Sequence, residues 1–135
     1  MKMETLPGIM REVGLEVGSY QNNGCLYVGI VIKRGKFDEP FCNLTLNLPG
    51  SVPPYCGYVD IGNLPEAEDF IKEHGLGEFT GIYGEGRCNG RWSTRSYPLY
   101  MFDVEKLRSL CPDQMEAYEK SVDMLKVEPV TRGAR

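Results

Sequence analysis

The chain has a single histidine, a single tryptophan and no long apolar run. With His74 alone, a serine triad or a cysteine–histidine dyad would have to use that one ring, and no nucleophile is placed beside it by sequence. H-E-x-x-H, G-x-S-x-G and G-x-x-x-x-G-K-[ST] are all missing, and the "GEG" of "GIYGEGRCNG" leads into no strong helix. Zinc-protease, hydrolase-elbow, phosphate-loop and dinucleotide signatures are thereby excluded. The longest apolar stretch, around "CLYVGIVIK", is too short to span a bilayer, so no membrane partner is expected. "MKMETLPGIMREVG" has neither a continuous apolar core nor a small-residue cleavage pattern, which makes a cytoplasmic location the expectation. The cysteines number five, an odd count, and none forms C-x-x-C. Reduced, buried thiols are expected rather than a zinc knuckle, and no metal or cofactor is expected.

What is present is the composition of an ordinary globular domain: 135 residues, 41% hydrophobic and 25% charged. The net charge of −4 is unevenly spread. Asp60, Glu66, Glu68, Asp69, Glu73 and Glu78 face only Lys72 within one segment, and the stretch from Asp103 to Glu128 is acidic as well. Such a surface disfavours non-specific contact with nucleic acid and suits a basic partner, although charged helix faces also serve simply to meet water.

Alternation predicts strands in the first half. "REVGLEVGSY" and "CLYVGIVIK" flank Asn23-Gly24, a strong cue for a tight primed turn. Leu26, Val28, Ile30 and Ile32 share one face of the second strand. "PFCNLTLNL" predicts Cys42, Leu44, Leu46 and Leu48 inward with Asn43, Thr45 and Asn47 outward. "YCGYVDI" supplies another strand. Asn63 and Pro65 predict the start of a helix over "LPEAEDFIKEHGLG", and Gly75 with Leu76 predicts its glycine stop. His74 on its inner face reads as a packed or C-terminal histidine. "EFTGIY" and "SYPLYMF" are further strands, Asp103 caps "VEKLRSLC", and Pro112 opens a helix with Met115, Tyr118, Val122 and Leu125 along one stripe. The expected fold is α+β: an antiparallel β-meander sheet of about five or six strands, with two or three helices packed on one face. A single α+β domain is expected over 1–128, followed by a flexible C-terminal tail over 129–135.

The stretch "YGEGRCNGRWSTRSYPLY" stands out, with Arg87, Arg91, Trp92 and Arg95 close together. A plain polar hairpin, in which Trp92 or Tyr97 folds back on the sheet, is the first reading. Arginine and tryptophan are also enriched at protein-interface hot spots, which is the second. The third is nucleic-acid binding through loop 84–96, with guanidinium on phosphate and rings on bases. The residues singled out for contact with a partner are therefore Arg87, Arg91, Trp92 and Arg95 of the loop, with Glu66, Asp69 and Glu73 of the acidic helix.

Three segments carry a resemblance: Leu44 to Leu48, Tyr58 to Gly77 and Tyr97 to Leu107, within "PFCNLTLNLP", "GYVDIGNLPEAEDFIKEHGLGEFTG" and "YPLYMFDVEKLRSL". Their order and spacing resemble a family of small uncharacterised proteins, a domain of unknown function carried by plasmids and conjugative elements of gut bacteria. The family's segments read "LTVNL", "YVDTNNxPWAEEFIEENGLG" and "YPLYxFDLEKL"; its helix-start tryptophan is Glu66 here, and the loop before "YPLY" is richer in arginine. The resemblance implies a cytoplasmic protein of a mobile element with no established reaction. It further implies an accessory role such as blunting a host restriction or CRISPR nuclease. Together with the residue reading, the expected function is a non-enzymatic protein-binding module, with a nucleic-acid-binding accessory protein as the alternative.

Overall fold

The computed structural model describes residues 1–87 and 94–133. Among the described residues there are two four-stranded antiparallel sheets and three helices, so the α+β class holds. The strands divide between two sheets instead of forming one. The first sheet has the order β1-β2-β3-β4, an up-and-down meander of β1 (Lys2–Leu6), β2 (Ile9–Ser19), β3 (Leu26–Arg34) and β4 (Phe37–Asn43). The second has the order β5-β6-β8-β7, from β5 (Thr45–Leu46), β6 (Cys56–Val59), β7 (Gly77–Arg87) and β8 (Thr94–Phe102). The helices are α1 (Ala67–Glu73), α2 (Val104–Leu110) and α3 (Pro112–Gly133).

The division into two sheets happens at Leu44. Strict alternation would turn Thr45 to solvent, yet Leu44 and Thr45 are both fully buried. The chain leaves β3 at this point. The Leu44 N–H donates to Val28 O at 2.9 Å, while Thr45 already pairs with Val59 of β6. Changing sheets resets the inside–outside parity, and Thr45 lands in the core. Its hydroxyl is tolerated there because the Val28 N–H donates to Oγ1 at 3.0 Å and the Tyr20 hydroxyl lies 3.0 Å away.

Asn23-Gly24 does mark the β2–β3 hairpin, but not as a two-residue primed turn. Gly24 alone has positive φ (72°), and the Asn23 side chain is drawn off to Asn47 Oδ1 (2.9 Å) and Gly50 O (2.7 Å). Helix α1 is shorter than its sequence cues suggest. It begins at Ala67, because the Asp60 carboxylate accepts from the Asn63 N–H and side-chain amide and holds 60–63 in a turn. Its end follows the sequence closely. Gly75 takes φ 63°, its N–H donates to Lys72 O and that of Leu76 donates to Ile71 O, with Leu76 fully buried. Asp103 caps α2 by accepting from the Lys106 N–H at 3.0 Å.

The core joins Val13, Leu15 and Val17 of β2 to Leu26, Val28 and Ile30 of β3, with Phe70 and Ile71 of α1, Phe102 of β8, Leu107 of α2, and Met115 and Tyr118 of α3. Helix α3 does more than cover this core. Beyond Glu12, β2 has no strand on its β1 side among the described residues, and side chains of the α2–α3 region take over its backbone groups. Cys111 Sγ donates to Leu15 O at 3.1 Å, and the Val17 N–H donates to Gln114 Oε1 at 2.7 Å. At its far edge α3 is clamped to the 48–55 loop. Arg108 donates to both oxygens of Glu119, and the Tyr55 hydroxyl donates to Glu119 Oε2 at 2.6 Å. Tyr55 sits at φ 68°, a conformation a tyrosine adopts at a cost that this clamp offsets. The α3 backbone is helical as far as Gly133.

Candidate functional site

A cleft of ≈ 560 Å³ opens between β1 and α1, beside charged residues. Sequence patterning brings α1 here. Ala67, Phe70 and Ile71 are buried, so residues on the flanking faces of this short helix are left at the surface. One flank carries Glu66, Asp69 and Glu73, and all three line the cleft. The other carries Glu68, which accepts from the Tyr100 hydroxyl at 2.6 Å. Burial, and then that carboxylate, push the Tyr100 phenol well above its ordinary value.

The opposite wall is β1 and its turn: Lys2, Met3, Glu4, Thr5, Leu6 and Pro7, with Met10 beyond. Pro7-Gly8 makes the turn, with Gly8 at φ 79° and its N–H donating to Glu4 Oε2. Buried Met3 and Phe70 form the apolar floor. His74 packs beside three of the residues that line the cleft, Lys2, Phe70 and Glu73. Its ring lies edge-on to Phe70 with centroids 4.7 Å apart, Nε2 is 3.2 Å from Lys2 O, and Glu73 Oε2 is 3.4 Å away. His74 is therefore a packing and C-terminal residue, as its position in the sequence suggests.

Four carboxylates (Glu4, Glu66, Asp69, Glu73) thus line the cleft against one lysine, Lys2. Glu66 and Asp69 have no ion-pair partner among the described residues. Like charges gathered at an open surface raise the local concentration of cations and cationic side chains. Among the described residues no group of His, Cys, Asp and Glu is arranged to hold a metal ion. The described cysteines are all free, and burial pushes the thiols of Cys42 (up to about 11), Cys56 and Cys111 above their ordinary value.

The described parts of the arginine stretch are two antiparallel arms, β7 and β8. These pair from Tyr83↔Pro98 to Arg87↔Thr94, and Tyr97 is folded into the protein at 4% exposure. Arg95 is exposed, its stem resting beside Gly62, and it does not line the acidic cleft. Arg91, Trp92 and the Arg87 side chain lie outside the described residues. Of the seven residues singled out by sequence, the structure brings Glu66, Asp69 and Glu73 together and leaves Arg95 elsewhere. Sequence reasoning missed the β1 wall with Glu4, for which Pro7-Gly8 after "KMETL" was the available signal.

A family model described as a domain of unknown function, DUF4313, matches residues 14–122, and the chain belongs to that family. The match takes in α1 and stops short of β1. The chain matches no curated protein and no solved structure. No helix among the described residues is long and apolar enough to cross a membrane.

Proposed function

We propose that this DUF4313 member is a non-enzymatic protein-binding module whose β1–α1 cleft receives a basic segment of a partner protein. The observation that carries the reading is the convergence of Glu66, Asp69 and Glu73 with Glu4 on one open cleft opposed by a single lysine. Its non-enzymatic character is supported by the lack of sequence signatures and by His74, whose ring is taken up by Phe70 and the Lys2 carbonyl. The family resemblance suggests a mobile-element setting, in which a host restriction or CRISPR nuclease, with its basic nucleic-acid channel, falls within the partner class.

The test is a titration of a fluorescent lysine-rich peptide into the protein and into a Glu66→Gln, Asp69→Asn, Glu73→Gln variant. Loss of three charges lowers affinity by about threefold or more, at roughly 0.2–1 kcal/mol per exposed pair. Equal affinity of the two proteins removes the cleft from the reading.

A second reading, nucleic-acid binding through loop 84–96, draws on Arg95, which is exposed on β8 opposite Gly86. It requires salt-sensitive binding of single- or double-stranded DNA or RNA that is abolished when Arg87, Arg91 and Arg95 are replaced by glutamine.

A further inference from the structure

The register of β1 fixes which of its backbone groups are used. The Val13 N–H donates to Met1 O at 2.7 Å, and Met3 lies opposite Arg11 in the same register. Hydrogen-bonded and non-bonded pairs alternate along an antiparallel ladder, so Met1 and Met3 turn their peptide groups to β2. Lys2 (opposite Glu12) and Glu4 (opposite Met10) turn theirs outward, into the cleft. The Lys2 carbonyl meets His74 Nε2 there, which confirms the direction. Among the described residues nothing beyond the β1–β2 pair bonds the peptide groups of Glu4.

The remaining sheet edges are blunted. Strand β4 carries Pro40 beside Asp38 and Glu39, β5 is two residues long, and β7 breaks register between Phe79 and Tyr83. Strand β1 is regular from Lys2 to Glu4, and its irregularity comes only at the turn end. The cleft beside it also holds an unspent polar group: Thr5 Oγ1 is buried without a hydrogen-bond partner, and Thr5 is a lining residue.

We propose that β1 is a docking edge, on which an extended segment of a partner protein adds as a further strand with Lys or Arg at alternate positions. The inference rests on the acidic-cleft reading above and specifies how the partner is held. Strand addition supplies affinity through main-chain bonds and selects side chains at every second position, because alternate residues face opposite sides of the sheet. Only the positions on the Met3 side meet α1, where Glu66, Asp69 and Glu73 stand, so the basic residues recur with a period of two. A second copy of β1 is a poor occupant, since it would carry its own Glu4 into a cleft that is already acidic.

The test uses the full chain and a labelled peptide alternating lysine with valine, compared with the same peptide N-methylated at alternate amides on its bonding edge. Methylation keeps every charge but removes the ladder, and it lowers affinity about tenfold or more. Binding also slows hydrogen exchange at the Glu4 amide, and an Arg95→Gln variant binds as the parent does. If the methylated peptide binds as well as the plain one, strand addition is wrong while the acidic-cleft reading stands. If Glu66→Gln, Asp69→Asn, Glu73→Gln binds both peptides undiminished, the cleft reading itself falls. Self-association that buries the Glu4 amide would overturn the occupant named here.

Discussion

The two ends of one sheet edge are treated in opposite ways. From Val13 to Val17, β2 has its outward peptide groups taken up by Met1, Cys111 and Gln114, and the helix that supplies Gln114 is anchored by a fully buried Met115. At β1 the Lys2 carbonyl meets only the His74 ring, and the outward groups of Glu4 face an open, acidic cleft that α1 stands beside without sealing. The same chain thus has the means to close a strand edge and uses them at only one of the two places. An edge left open among carboxylates repels acidic surfaces and invites basic ones, which is selectivity achieved through charge.

Breaking the sealed end gives the largest expected effect. Met115→Ala removes a fully buried side chain from under α3 and is expected to cost about 2–5 kcal/mol in urea unfolding. Gln114→Ala leaves the Val17 N–H without its acceptor for about 1–3 kcal/mol, and exchange at that amide speeds up. The α3 clamp gives a smaller, pH-dependent effect. Hydrogen bonds from Arg108, then from Tyr55, hold the Glu119 carboxyl below its ordinary value. Its contribution is therefore complete above the ordinary carboxyl range and is lost as the pH falls through the lowered value. The difference in melting temperature between parent and Glu119→Gln, present at neutral pH, accordingly closes in acid. The open end responds least. Glu66→Gln, Asp69→Asn and Glu73→Gln are exposed changes expected to leave stability within about 0.5 kcal/mol each, and the free protein's Glu4 amide exchanges faster than that of Val17. A large stability loss from the cleft variants would make the two ends alike and remove the contrast.

Much of this was legible from local pattern. The glycine stop after α1, the Asp103 cap and the inward face of β3 are short-range devices whose residues act on their own neighbours. The three cleft carboxylates of α1 follow from the same reasoning. The opposite wall does not, because β1 is five residues with one buried apolar side chain, Met3, and it meets α1 only through the folded sheet. Thr45 misled the alternation for a related reason: parity holds within one sheet, and the chain changes sheets between Asn43 and Thr45. The two strands that flank the arginine stretch were legible from their alternation, while the role of the stretch depends on side chains that sequence spacing alone cannot place.

The Thr45 hydroxyl has a consequence for how the molecule comes apart. Val28 belongs to the first sheet and Thr45 to the second, and each satisfies a group of the other inside the core, beside the Leu44–Val28 and Asp60–Leu44 backbone hydrogen bonds. Opening either sheet alone would strand those partners without water. The two sheets are thus bound to open together as a single cooperative unit, although the topology draws them as two.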